Sequence, residues 1–234
     1  MLKKPFIAAN WKAKHTLDEV SSWIKDTKEE LIKIDSSDIV ICPPTIYLPF
    51  LYEEFTNSKV RIGAQDVSRY EAGAYTGEVS AKALSSFCTY AIVGHSERKK
   101  YFNENEAVVG LKVKRLLEVG LIPILCVADT EELEKYIAAE PIILSESQRI
   151  VFVYEPPRAI STEGNFHPED PSDADHVISD FRSRLGQAKI IYGGSTNPEN
   201  IASFLKTPSI DGALVGQASW EPQSFLQLVK ASLS

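Results

Sequence analysis

One kind of segment recurs eight times along this chain and limits what it can fold into. Short runs rich in Ile, Val, Ala and Tyr lead into glycine or polar residues: PFIAAN (5–10), DIVICPP (38–44), VRIGAQ (60–65), YAIVGH (90–95), IPILCV (122–127), IVFVYE (150–155), KIIYGG (189–194) and GALVGQ (212–217). The runs are almost continuously apolar rather than alternating. A strand of that kind has both faces covered, which favours a parallel sheet with helices packed against it.

Helical patterns fill the gaps. Thr16 and Glu19 have capping-box spacing ahead of Val20, Trp23, Ile24 and Leu31, which share one face. Val109, Val113, Leu116 and Leu117 repeat at helical spacing before Gly120, as do Val177, Ile178, Phe181 and Leu185 before Gly186. Asn197 followed by Pro198 reads as an N-cap with proline in the first helical position. Alternating strands and helices imply right-handed crossovers, and eight units of roughly 30 residues fit a (β/α)8 barrel. With no linker or composition break, 1–234 is expected to be a single domain. A doubly wound open sheet is the competing arrangement, but it usually carries G-x-G-x-x-G after its first strand, and this chain does not. The segment DTEELEKYIAAEPIILSESQR (129–149) has room for one short helix before Pro141, so the helix preceding the sixth strand is expected to be shortened or irregular.

Charge narrows the partners. With 25 basic and 32 acidic residues the net charge is −7, which disfavours nucleic acid and anionic membranes. A small anion needs only one local cation and a few backbone N–H groups. No apolar stretch approaches the ~20 residues that span a bilayer. The start, MLKKPFIAANWK, holds too short an apolar run for a secretory signal. Cys42, Cys88 and Cys126 are odd in number and lack metal-site spacing, so they read as reduced thiols. A soluble, cytoplasmic protein is expected.

In such barrels the catalytic groups gather where the strands end, because those loops share one face. The strand ends here supply Asn10 and Lys12, His95 and Glu97, Glu155, then Gly193, Gly194 and Ser195, and finally Gly216 and Gln217. Each has a plainer reading on its own. Lys12 could be a solvated lysine, His95 a core histidine, Glu155 a cap or an ion-pair partner, and Gly193–Gly194 a tight turn. Cys42 and Cys126 read as packing rather than as nucleophiles. Their convergence on one rim argues for a shared site. Glycine-containing turns after the last two strands expose N–H groups where this fold usually binds phosphate. A partly desolvated carboxylate is a competent carbon base, and a neutral imidazole and a lysine can stabilise the oxyanion that develops. The residues point to proton transfer α to the carbonyl of a small phosphorylated compound, with no metal and no cofactor.

The same residues resemble a known family. AANWK (8–12), VGHSER (93–98), YEP (154–156), IYGGS (191–195) and LVGQAS (214–219) are similar to motifs of the triosephosphate isomerases, and GAQDVSRYEAGAYTGEVS (63–80) resembles their third loop. The resemblance implies interconversion of dihydroxyacetone phosphate and glyceraldehyde 3-phosphate, a step of glycolysis and gluconeogenesis. Glu155 would shuttle the proton and His95 would polarise the carbonyl, a pairing for which this family is itself the established example. Lys12, helped by Asn10, would offset negative charge. Glu97 would support Lys12, Ser96 would border the pocket, and Cys126 would be a supporting residue. Phosphate would be held at Ser161, Gly194, Ser195, Gly216 and Gln217. Residues 156–166 would form a lid, including Pro156, Pro157, Arg158, Ala159, Ile160, Ser161, Thr162 and Glu163, and lid closure in this family is a standard case of water exclusion. The 66–79 loop, with Thr76 near its tip, would insert into a second copy to make a homodimer.

The chain departs from the family pattern at several points. Pro157–Arg158 stands where Val-Trp is common, and Ser161–Thr162–Glu163–Gly164 where Gly-Thr-Gly-Lys is common. Consecutive prolines restrict the first hinge, so a lid with altered opening kinetics is expected. Gln217 replaces a usual glycine and Ala128–Asp129 a usual Gly-Glu. Rival readings are another phosphosugar enzyme on the same fold, an epimerase or aldolase, or an inactive scaffold with a binding role. An aldolase would need a lysine on a mid-barrel strand, and here the rim lysine follows the first.

Overall fold

The computed structural model describes residues 4–159 and 167–233. Its strands are β1 (Phe6–Asn10), β2 (Asp38–Cys42), β3 (Arg61–Ala64), β4 (Tyr90–Val93), β5 (Ile122–Val127), β6 (Val151–Tyr154), β7 (Lys189–Tyr192) and β8 (Gly212–Val215). They close in sequence order into a barrel. Ala8 of β1 lies opposite both Val40 of β2 and Leu214 of β8, and both pairings are parallel. Closure excludes the open sheet and leaves the expected (β/α)8 barrel.

The continuous hydrophobicity of the strands follows from two cores. Phe6, Ala8, Val40, Val151, Val153 and Ile191 belong to one cluster, filling the barrel. Their chain neighbours Ile7, Ala9, Ile41, Phe152, Ile190 and Tyr192 belong to another, packed against the helices. Full burial of one such side chain contributes ~1.5–3 kcal/mol, so neither face of a strand tolerates a polar residue until the strand ends.

The helices are α1 (Leu17–Leu31), α2 (Leu48–Phe55), α3 (Ala81–Leu84), α4 (Ser96–Phe102) and α5 (Glu106–Glu118) in the first half. The second half holds α6 (Thr130–Ala139), α7 (Ile142–Ser145), α8 (Pro171–Leu185), α9 (Ile201–Leu205) and α10 (Pro222–Ala231). The α1 capping box is present: Glu19 N–H donates to Thr16 Oγ1, and Thr16 N–H donates to Glu19 Oε2 at 2.6 Å. Gly120 and Gly186 follow α5 and α8 at φ of +80° and +63°. The connection before β6 is irregular, as expected. Asp129 Oδ1 accepts the Glu132 N–H at 2.8 Å, so α6 starts directly after β5, and α7 and a 3-10 turn at 147–149 complete it after Pro141.

The expected helix start at Asn197 needs correction. Asn197 Oδ1 accepts the N–H groups of Glu199 and Asn200, but the regular helix begins only at Ile201. A short side chain that satisfies two donors at once stabilises a turn on its own, without a following helix. No helix among the described residues is long and apolar enough to cross a membrane.

Candidate active site

Strand parity decides which side chains reach the barrel mouth. On β1 the inward series Phe6, Ala8 continues to Asn10, and on β6 Val151, Val153 continues to Glu155. On β4 the inward position is Ile92, so simple alternation would send His95 toward the helices. Gly94 changes the direction with φ of +70°. A Cβ there would sit 3.0 Å from Tyr136 Oη and 3.1 Å from the Cys126 carbonyl, so both conformation and space require glycine.

His95 is therefore the N-cap of α4, and its Nδ1 accepts the Glu97 N–H at 3.3 Å. A nitrogen that accepts a hydrogen bond carries no proton, so the ring is neutral with its proton on Nε2. Nε2 lies 3.1 Å from Glu155 Oε1. Glu155 is only 2% exposed. Its Oε2 accepts the Ser96 N–H at 2.9 Å, and its Oε1 accepts the Ser96 hydroxyl at 2.9 Å. Ser96, expected to border the pocket, instead grips the carboxylate with two hydrogen bonds. Cys126 lies in the barrel interior, where burial first and the Glu155 charge second push its thiol up, which leaves it inert as a nucleophile.

Lys12 has left-handed backbone, φ of +53°, which is strained for a side chain of this kind. Three contacts hold it there. Lys12 N–H donates to Asn10 Oδ1 at 3.0 Å, and Gln65 Nε2 donates to the Lys12 and Cys42 carbonyls, each at 2.9 Å. Lys12 Nζ meets Glu97 Oε1 at 2.6 Å. Gln65 escaped the reading of the sequence because its partners are backbone carbonyls of two other strand ends.

The turn after β7 is crowded. A Cβ on Gly193 would fall 2.4 Å from Val153 Cγ1, and one on Gly194 2.1 Å from Tyr192 Oη. Ser195 follows, and both its N–H and its hydroxyl donate to the Ala159 carbonyl at 2.8 Å. The Ser195 N–H, expected to await phosphate, is thus engaged. The turn after β8 is roomier: a Cβ on Gly216 would lie 3.7 Å from Lys12 Cε, and Gln217 is exposed with φ outside the left-handed region.

These groups share one cavity of about 410 Å³, lined by Asn10, Lys12, His95, Glu155, Gly194, Ser195, Gly216 and Gln217. Thr196, Glu199, Trp220 and Glu221 line it too, and nothing in the strand-end pattern singled them out. Glu97, Ser96 and Cys126 stand behind the cavity wall. Thr76 is exposed and lies outside the cavity. Pro156 and Ala159 are buried and Pro157 and Arg158 exposed, with 157–159 forming one 3-10 turn. Ile160, Ser161, Thr162 and Glu163 lie outside the described residues. The arrangement offers a buried carboxylate, a neutral N–H donor, a cation and two backbone turns to one small molecule, which suits proton abstraction beside a polarised carbonyl.

Known proteins point the same way. The family model described as triosephosphate isomerase matches residues 5–232. The chain is 41% identical to the triosephosphate isomerase of Thermus thermophilus, covering 98% of this chain and 99% of the relative. It is 38% identical to that of Symbiobacterium thermophilum, over 99% and 98% of the two chains. The Coxiella burnetii protein of the same name is 35% identical, with 97% of each covered. The chain belongs to the triosephosphate isomerase family.

Proposed function

We propose that this chain interconverts dihydroxyacetone phosphate and glyceraldehyde 3-phosphate through an enediolate, the reaction that belongs to glycolysis. The observation that carries the reading is the Glu155 carboxylate 3.1 Å from the neutral His95 Nε2, in one cavity with Lys12 and the two glycine turns. Glu155 takes a proton from one carbon and returns it to the next. To do so it exchanges the Ser96 donors for the substrate carbon, which removes hydrogen bonds from the carboxylate and makes it a stronger base. His95 Nε2–H donates to the carbonyl oxygen that becomes negative. Lys12 and Asn10 offset the remaining charge.

Phosphate occupies the mouth of β7 and β8, at Gly194, Ser195, Gly216 and Gln217, where it replaces the Ala159 carbonyl on Ser195. Ser161 is assigned to phosphate by resemblance alone. The chain acts as one domain, in the cytoplasm, and as a homodimer through the 66–79 loop with Thr76. Ile46 (77%), Tyr101 (64%) and Phe102 (62%) stand exposed in the single chain and offer apolar surface to such a second copy.

A coupled isomerase assay tests the reading. Glu155→Gln is expected to lower kcat by roughly 10²–10⁴. Cys126→Ala is expected to retain activity. Unchanged turnover in Glu155→Gln would refute the assignment.

A further inference from the structure

We propose that Thr196 and Trp220 are phosphate-holding residues of this chain, supplying a side-chain hydroxyl and an indole N–H beyond the backbone turns. The inference rests on the isomerase reading and names further residues of the same site.

Thr196 is 6% exposed, and its Oγ1 is buried without a hydrogen-bond partner. Trp220 is half-buried, and its Nε1 is likewise closed off without a partner. Buried polar groups are rarely left unpaired, because the group loses water and gains nothing. Two residues nearby do find protein acceptors for groups of the same kind. Ser195, the neighbour of Thr196, places its hydroxyl on the Ala159 carbonyl at 2.8 Å. Trp23, which packs near the β8 turn, places its indole N–H on the Ser219 carbonyl at 3.1 Å. The two unpaired donors share something else: both residues line the cavity that holds Lys12, Gly194, Gly216 and Gln217.

Their positions in the chain place one at each phosphate turn. Thr196 follows Gly194–Ser195 at the end of β7, and Trp220 follows Gly216–Gln217 at the end of β8. A ligand that satisfies both needs several acceptor oxygens at a single head, as a terminal phosphoryl group has. Both donors have almost no exposed surface in the free protein, so phosphate pairs with them only as the cavity wall shifts around it.

Thr196→Val tests this, because it removes the hydroxyl at nearly constant volume, and Thr196→Ser restores it. Inorganic phosphate serves as the probe, measured as a competitive inhibitor and by its effect on melting. Thr196→Val is expected to raise the melting temperature of the free protein, since an unpaired group is gone. It is also expected to raise KM and the phosphate inhibition constant about tenfold, with kcat changing much less. Thr196→Ser should return both constants toward wild type, and Trp220→Phe should shift them in the same direction as Thr196→Val. If Thr196→Val melts higher but leaves KM and phosphate inhibition unchanged, the proposal is overturned. If the wild-type protein fails to isomerise triose phosphates, yet phosphate stabilises it and Thr196→Val weakens that effect, the isomerase reading falls and this one stands.

Discussion

The two turns at the phosphate end look alike in sequence, Gly193–Gly194 after β7 and Gly216–Gln217 after β8, yet they use glycine for different reasons. At β7 the neighbours leave no room: a methyl on Gly194 would overlap Tyr192 Oη, and one on Gly193 would overlap Val153. At β8 a methyl on Gly216 would meet only Lys12 Cε at ordinary contact distance, and a glutamine side chain already stands in the next position. The first turn is small because the core presses on it. The second is small because the cavity needs access to its backbone.

Substitutions separate the two cases. Gly194→Ala should have the largest effect on stability, roughly 2–3 kcal/mol from overpacking, read as a fall in Tm of ~4–12 °C for a chain of this size. Gly216→Ala should lower Tm less than Gly194→Ala does while raising KM several-fold, because its methyl enters the cavity rather than the core. Equal losses of stability in the two variants would erase the distinction. Gln217→Gly should do least, lowering stability by at most ~1 kcal/mol through added freedom of the unfolded chain and changing KM less than twofold. A large gain in phosphate affinity from that change would mean that the glutamine obstructs the turn.

The same contrast explains what could be read in advance. Each strand was legible because burial on both faces leaves a continuous apolar run, as in Phe152 between Val151 and Val153, which serve separate cores. Asn10 and Glu155 were legible because they extend an inward series by simple alternation. His95 was identified by its place at a strand end, but its orientation was not, because it depends on one glycine breaking the parity of β4. Gln65 was invisible for another reason: what it holds are main-chain carbonyls at Lys12 and Cys42, and any residue type supplies those. Asn197 shows the limit of capping signals, since the same side-chain geometry that starts a helix also completes a turn. Thr196 and Trp220 gave no signal at all, because an unmet donor is a property of the packed structure and of no sequence pattern.

The left-handed backbone of Lys12 carries a consequence for how this chain can change over generations. Glycine at that position would relax the local strain, so a search for heat resistance alone would favour replacing this lysine of the cavity wall. The contacts from Asn10 and Gln65 would then lose their purpose and be free to drift. Selection on the reaction has to oppose that slope continuously, and a lineage released from it should lose these three residues together, well before the barrel itself.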